Sequence, residues 1–261
     1  MAFKNLSFKS ISGEKLSARL DLPEDEPLAY ALFAHCFTCT KNFKAVHNIS
    51  RSLADEGIAV FRFDFTGLGD SEGDFADTGF SSNVDDLLAA VRFMDDHYKP
   101  PAILIGHSLG GAAILQAASK IPSALAVATI AAPADPGHLT RHLNEYRQQI
   151  EREGEAEVSI AGRRFKIRKK FLEDLEGKNM ETVICNLNRA LIIFHSPLDD
   201  VVGVENAARI FQAARYPKSF ISLDGADHLL SDRRDSQYIG SIIAAWVRKY
   251  IDTAQNGEAS E

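Results

Sequence analysis

Residues 102–120 read Ala102-Ile-Leu-Ile-Gly106-His107-Ser108-Leu109-Gly110-Gly-Ala-Ala-Ile-Leu-Gln-Ala-Ala-Ser-Lys120. A short apolar run stops at Gly106, a tight turn follows, and a stretch of strong helix formers begins at Leu109. A Gly-x-Ser-x-Gly pentapeptide says little alone. Between a strand and a helix it is the pattern of a nucleophile elbow. The two glycines let the backbone turn without Cβ clashes, so the Ser108 hydroxyl stands free above the sheet edge. The helix behind it brings its positive N-terminal end to the same place.

The sequence on either side repeats the strand type. Ala29–Cys36 (AYALFAHC), Ile58–Asp64 (IAVFRFD), Ala124–Ala132 (ALAVATIAA) and Ala190–His195 (ALIIFH) are short apolar runs, with a shorter one at Phe220–Leu223. Nearly continuous apolar strands belong to a parallel sheet covered on both faces. Helical patterns lie between them. In Asn83–His97 the residues Val84, Leu87, Leu88, Val91 and Met94 recur at helical spacing. Leu109–Lys120, Val204–Ala214 and Tyr238–Ile251 read as further helices, and partial alternation over 3–9 and 16–22 around Ser12-Gly13 predicts an opening hairpin. The expected fold is α/β, with a mostly parallel central sheet of about eight strands and helices on both faces.

Residues 134–188 break the alternation. A segment of that length without a core strand is expected to have structure or function of its own. It reads as a lid or cap inserted into a core made of 1–133 and 189–252, with 253–261 a polar, disordered tail. Inside it, His138–Arg152 suggests a helix, Val158–Ile167 a hairpin turning at Ala161-Gly162, and Lys170–Leu175 a helical turn. The run Arg163–Lys170 holds six positive side chains and no negative one. It reads as a solvated lid face, with attraction of an anionic group on the substrate as the functional option.

Composition narrows the function classes. The chain has 261 residues, 45% of them hydrophobic, and a formal net charge of −7. That balance argues against nucleic acid as a partner, because neutralising phosphates needs a basic surface. No apolar stretch is long enough to span a membrane and no secretory signal is visible, so a soluble cytoplasmic protein is expected. The odd count of three cysteines (Cys36, Cys39, Cys185) fits a reducing compartment. Cys36 and Cys39 form a C-x-x-C outside any thioredoxin-like context. They read as buried small side chains rather than, with His35 and His47, a zinc set. No metal or organic cofactor is implied.

A serine nucleophile needs a base held by a third group. Two strand ends offer them in the order Ser, acid, His. One is His195-Ser-Pro-Leu-Asp199-Asp200-Val-Val, with two carboxylates. The other is Asp224-Gly-Ala-Asp227-His228, and of the eight histidines only His228 has the required position. His107 is expected to pack beneath the elbow, and His35 and His195 to organise the loops in which they lie.

Taken together these motifs resemble the α/β-hydrolase superfamily of serine hydrolases over essentially the whole chain. The segment from Ser196 to Gly203 is similar to that family's G-x-x-D-x-V-V-P acid loop, which implies Asp199, with Asp200 the competitor and Asp135 a position some relatives use. The closing Gly-Ala-Asp-His implies His228. The resemblance implies an oxyanion hole formed by the backbone N–H groups of Leu109 and of Phe37, within His35-Cys36-Phe37-Thr38-Cys39. Cys36 stands where the family usually has glycine. Asp64-Phe-Thr-Gly67-Leu-Gly69-Asp70-Ser71 resembles a structural turn, D-x-R-G-x-G-x-S, with Thr66 in place of arginine. The wording of HCFTCTKN and GDFADTGFSSNVDDL is similar to hydrolase modules fused to OsmC-type peroxidase domains in bacteria. The implied activity is hydrolysis of a small-molecule carboxylester through an acyl-enzyme. Thioesterase, acyltransferase or peptidase action by the same triad, and a non-catalytic binding module on the same fold, are the alternatives.

Overall fold

The apolar runs assemble into one sheet. In the computed structural model, which describes residues 2–137, 139–140, 143–160 and 163–258, the strands are β1 (Ala2–Lys9), β2 (Lys15–Leu22), β3 (Ala29–Ala34), β4 (Ile58–Phe63), β5 (Ile103–His107), β6 (Ala126–Ile130), β7 (Glu155–Ile160), β8 (Arg163–Arg168), β9 (Ala190–His195) and β10 (Lys218–Ser222). Eight of them form the central sheet in the order β1-β2-β4-β3-β5-β6-β9-β10. β2 is antiparallel to both of its neighbours, and all the remaining pairs are parallel. β7 and β8 make a separate hairpin.

Period-two alternation divides each central strand between two apolar layers. Ala29, Ala31 and Phe33 of β3 enter one layer, and Tyr30, Leu32 and Ala34 the other; β9 divides in the same way. The first layer is covered by helix α1 (Lys44–Asp55) and by the long C-terminal helix. The second is covered by α2 (Phe80–His97), α3 (Leu109–Ala118) and the segment that follows β6. Burial on both sides is why these strands carry almost no polar residue.

That segment consists of α4 (Asn144–Glu153), the β7–β8 hairpin, α5 (Lys169–Leu175) and α6 (Met180–Cys185). Its apolar side chains, among them Ile150, Val158, Phe165, Ile167, Phe171 and Leu175, are buried in the second layer. The helix expected from His138 is present over Asn144–Glu153, while residues 138, 141 and 142 and the expected turn at 161–162 lie outside the described residues. After β9 come α7 (Glu205–Ala213) and α8 (Arg233–Glu258).

Several expectations shift. α1 and α6 are helices beyond those expected, α2 begins at Phe80 rather than Asn83, and α8 begins at Arg233 rather than Tyr238. The expected tail from 253 is helical to Glu258, continuing the helix whose docked face ends at Ile251. Cys36 and Cys39 are buried as expected, but they are joined by a disulfide rather than being separate thiols.

Candidate active site

Ser108 has a backbone that few residues other than glycine adopt, φ 55° and ψ −127°. Holding it there costs on the order of 1–3 kcal/mol, which the surrounding packing must offset. That packing is tight. A Cβ on Gly106 would lie 2.5 Å from the Gly110 carbonyl oxygen, and one on Gly110 would lie 2.4 Å from that of His35. Only glycine at both places lets the elbow close against the end of β3. The Ser108 N–H donates to the Ile130 carbonyl of β6 at 2.8 Å, which ties the turn to the next strand.

Asp199 and His228 come to Ser108 from the carboxyl ends of β9 and β10, as expected of a site on an open α/β sheet. His228 Nε2 is 3.0 Å from Ser108 Oγ, and His228 Nδ1 is 2.8 Å from Asp199 Oδ2. Asp199 Oδ1 accepts the N–H groups of Val201 at 3.0 Å and Val202 at 2.8 Å. Burial raises the Asp199 carboxyl; the hydrogen bond and charge of His228, with the two backbone N–H groups, outweigh it and hold the group below its ordinary value. Asp200, the competing carboxylate, is exposed. Asp135 lines a neighbouring cavity of about 420 Å³ with Thr140, Glu176, Glu205 and Arg209, and its Oδ1 accepts the Gly137 N–H.

Three buried histidines brace the site through main-chain bonds. His107 Nε2–H donates to the His228 carbonyl at 2.8 Å. His195 Nε2–H donates to the Val202 carbonyl at 2.7 Å, and His35 Nδ1–H donates to that of Cys36 at 2.7 Å. Burial first, then the nearby charge of His228, push the His107 imidazole down to about 3, so it stays neutral. Leu109 opens α3, where a first-turn N–H has no intrahelical acceptor. The Phe37 N–H has no acceptor among the described residues. These are the two N–H groups that the sequence singles out, and both come from loops that closely packed backbone brings together at the end of β3, where the His35 carbonyl lies against Gly110.

The loop that carries Phe37 is anchored by charges that sequence reasoning missed. Arg62, fully buried in β4, pairs with Asp21 of β2 at 2.7 Å and donates to the Lys41 carbonyl. Lys41 Nζ pairs with Asp64 at 2.6 Å and with Asp70 at 2.7 Å, and Lys41 N–H donates to Asp64 at 2.6 Å. A lone arginine inside the apolar run IAVFRFD was the available signal, since a charge there must find a partner. Thr66, where the family pattern has arginine, donates its N–H and hydroxyl to the buried Asp86. The Asp64–Ser71 run is thus a turn stitched to α2.

The family profile described as alpha/beta hydrolase matches residues 31–239, four-fifths of the chain with the elbow, Asp199 and His228 inside it. The chain belongs to the alpha/beta hydrolase family. This hydrolase is 52% identical to the esterase domain of a Rhodothermus marinus protein, with a TM-score of 0.79 over 96% of this chain and 100% of that one. It is 27% identical over 199 residues to the mitochondrial palmitoyl-protein thioesterase ABHD10 of Mus musculus. That match covers 73% of this chain and 65% of the thioesterase, so the hydrolase spans less than two thirds of that relative's length. Est1E of Butyrivibrio proteoclasticus, solved with ferulic acid, is 18% identical with a TM-score of 0.78 and shares the fold.

Among the described residues of the hydrolase, no helix is long and apolar enough to cross a membrane. Nor do three His, Cys, Asp or Glu side chains converge in a way that could hold a metal ion.

Proposed function

We propose that the protein is a serine hydrolase that cleaves a small carboxylester through Ser108, His228 and Asp199. The observation that carries this reading is the His228 ring, hydrogen-bonded to Ser108 at one nitrogen and to Asp199 at the other. Ser108 Oγ attacks the acyl carbonyl while His228 Nε2 takes its proton, and the tetrahedral oxyanion is met by the N–H groups of Leu109 and Phe37. His228 then returns the proton to the leaving alcohol, and the acyl-enzyme remains. Water, activated by the same nitrogen, releases the acid. Asp199 holds the tautomer with the proton on Nδ1 and stabilises the imidazolium. The 52% identity to an esterase domain favours an oxygen ester. The thioesterase relative makes a thioester the second substrate class to assay.

The substrate need not be anionic. In the basic run, Arg164 pairs with Glu157, Lys166 with Glu155, Arg168 with Asp77 and Glu155, and Lys169 with Glu173. Four of the six positive side chains are therefore paired with carboxylates, Asp77 being the one partner from outside the segment.

A fluorophosphonate probe and a p-nitrophenyl acetate assay test the reading. Wild type is expected to label and turn over, while Ser108→Ala loses labelling and keeps the wild-type circular dichroism spectrum. In the same assay Asp199→Asn should lose on the order of 10⁴-fold in kcat, because the imidazole takes the wrong tautomer. Asp200→Asn should stay near wild type. Labelling of Ser108→Ala at the wild-type level would overturn the assignment.

A further inference from the structure

The loop after β3 is fixed at both ends and bridged in the middle. At its start, the carbonyl oxygens of Ala34 and His35 lie so near Gly110 that a Cβ there would be 2.6 and 2.4 Å away. At its end, Lys41 is held by Asp64 and Arg62. Between these anchors Cys36 is bonded to Cys39, their Cα atoms 5.2 Å apart, within the usual span of a bridge. The Cys36 carbonyl accepts the Cys39 N–H at 3.1 Å and the His35 ring at 2.7 Å. The small ring closed in this way contains Phe37, whose N–H has no other duty among the described residues. Arg163, at the start of β8, reaches over to donate to the Thr38 carbonyl at 2.8 Å.

We propose that the Cys36–Cys39 disulfide is a positioning clamp for the Phe37 N–H, so that the thiol–disulfide state of this pair sets the turnover of the enzyme. The proposal rests on the serine-hydrolase reading above. A low-molecular-weight thiol opens the bridge by attack of its thiolate on one sulfur, which gives a mixed disulfide and frees one cysteine thiol. A second thiolate then displaces the other cysteine. Two thiols are oxidised to one disulfide, and two electrons and two protons end on Cys36 and Cys39. Residues 36–39 thereby lose their covalent restraint and gain conformational freedom, which lowers the fraction of molecules whose Phe37 N–H points at the oxyanion. The oxyanion exists only along the reaction path, so the loss falls on kcat and leaves KM nearly unchanged.

Hydrolysis of p-nitrophenyl acetate is measured after equilibration with oxidised glutathione and again with dithiothreitol, with thiols titrated in denaturant. One thiol, that of Cys185, is expected in the oxidised protein and three in the reduced. Reduction should lower kcat about tenfold, less than the 10²–10³ lost when an oxyanion donor is removed outright. KM should move less than twofold. Cys36→Ser and Cys39→Ser should show the reduced kcat in either buffer, and Cys185→Ser should respond to reductant as wild type does. Should the serine variants fail to fold, the two buffers read the same clamp in the wild type; should dithiothreitol fail to open the bridge, the variants read it.

Three thiols persisting in oxidised glutathione would overturn the proposal. So would equal kcat in both states, with Ser108→Ala inactive in each. Hydrolysis that survives Ser108→Ala would take down the serine-hydrolase reading, and the clamp with it.

Discussion

His228 can bridge two oxygens only while its backbone stays put, and the bond from His107 to its carbonyl ties that backbone to the elbow. This brace has an energetic signature. The unfolded chain titrates His107 near 6.5, whereas burial and His228 push the folded group down to about 3. Below 6.5 the unfolded state therefore binds a proton that the folded state refuses. Stability contributed by the neutral ring is complete above that value and is lost as pH falls toward 3, by up to about 1.4 kcal/mol per pH unit. Urea melts from pH 7 to pH 4 should show stability falling in wild type, with His35 and His195, also pushed down by burial, adding to the slope, and a shallower fall in His107→Gln, whose amide can keep the hydrogen bond. Equal slopes would show that another group is responsible. Ser108 and His228 were legible in the sequence because each sits in a short motif at a strand end. Arg62 and Lys41 were not, since each finds its partner about 20 residues or more away in sequence, where no local pattern records it.

At the scale of elements, the segment after β6 is joined to the core by polar bonds as well as by its apolar side chains. Asp174 of α5 accepts the Ser81 N–H at 2.6 Å and the Ser81 hydroxyl at 2.5 Å, so it caps α2 from outside. Burial raises its carboxyl, but the Ser81 donors and Lys178 bring it below the ordinary value, consistent with an anion at the positive end of a helix. Asp174→Ala is expected to destabilise the protein by about 1–2 kcal/mol in urea unfolding, as loss of a charged cap does. A change under a few tenths would mean that α2 is capped well enough without it. The strands were readable because burial on both faces makes them continuously apolar. α1 was within reach: Ala45, Val46, Ile49 and Leu53 lie at helical spacing, although its start at Lys44 carries no side-chain cap to mark it. The Cys36–Cys39 bond was beyond reach, because spacing cannot distinguish a bridge from two packed thiols.

Over the whole molecule, the acidic average and the basic run proved to be less separate than composition suggests. The hairpin's positive charges meet acidic partners within its own segment and on Asp77, so steering of anions is weak. Its apolar residues are buried in the second layer, which leaves little greasy surface on which to lay a long acyl chain. In a series of p-nitrophenyl esters, kcat/KM is therefore expected to fall as the acyl group lengthens from acetyl to dodecanoyl; a rise would contradict this account of the insertion. The sheet also sets terms for the insertion. β6 and β9 are neighbours, paired from Ala126 with Ala190 to Ile130 with Phe194, so the sheet demands only a return path between them. Doubling a loop adds only about 0.6 kcal/mol of closure entropy. The strands thus leave the length of the intervening residues free, and the limit on exchanging them is set by the second apolar layer, which any replacement must still cover.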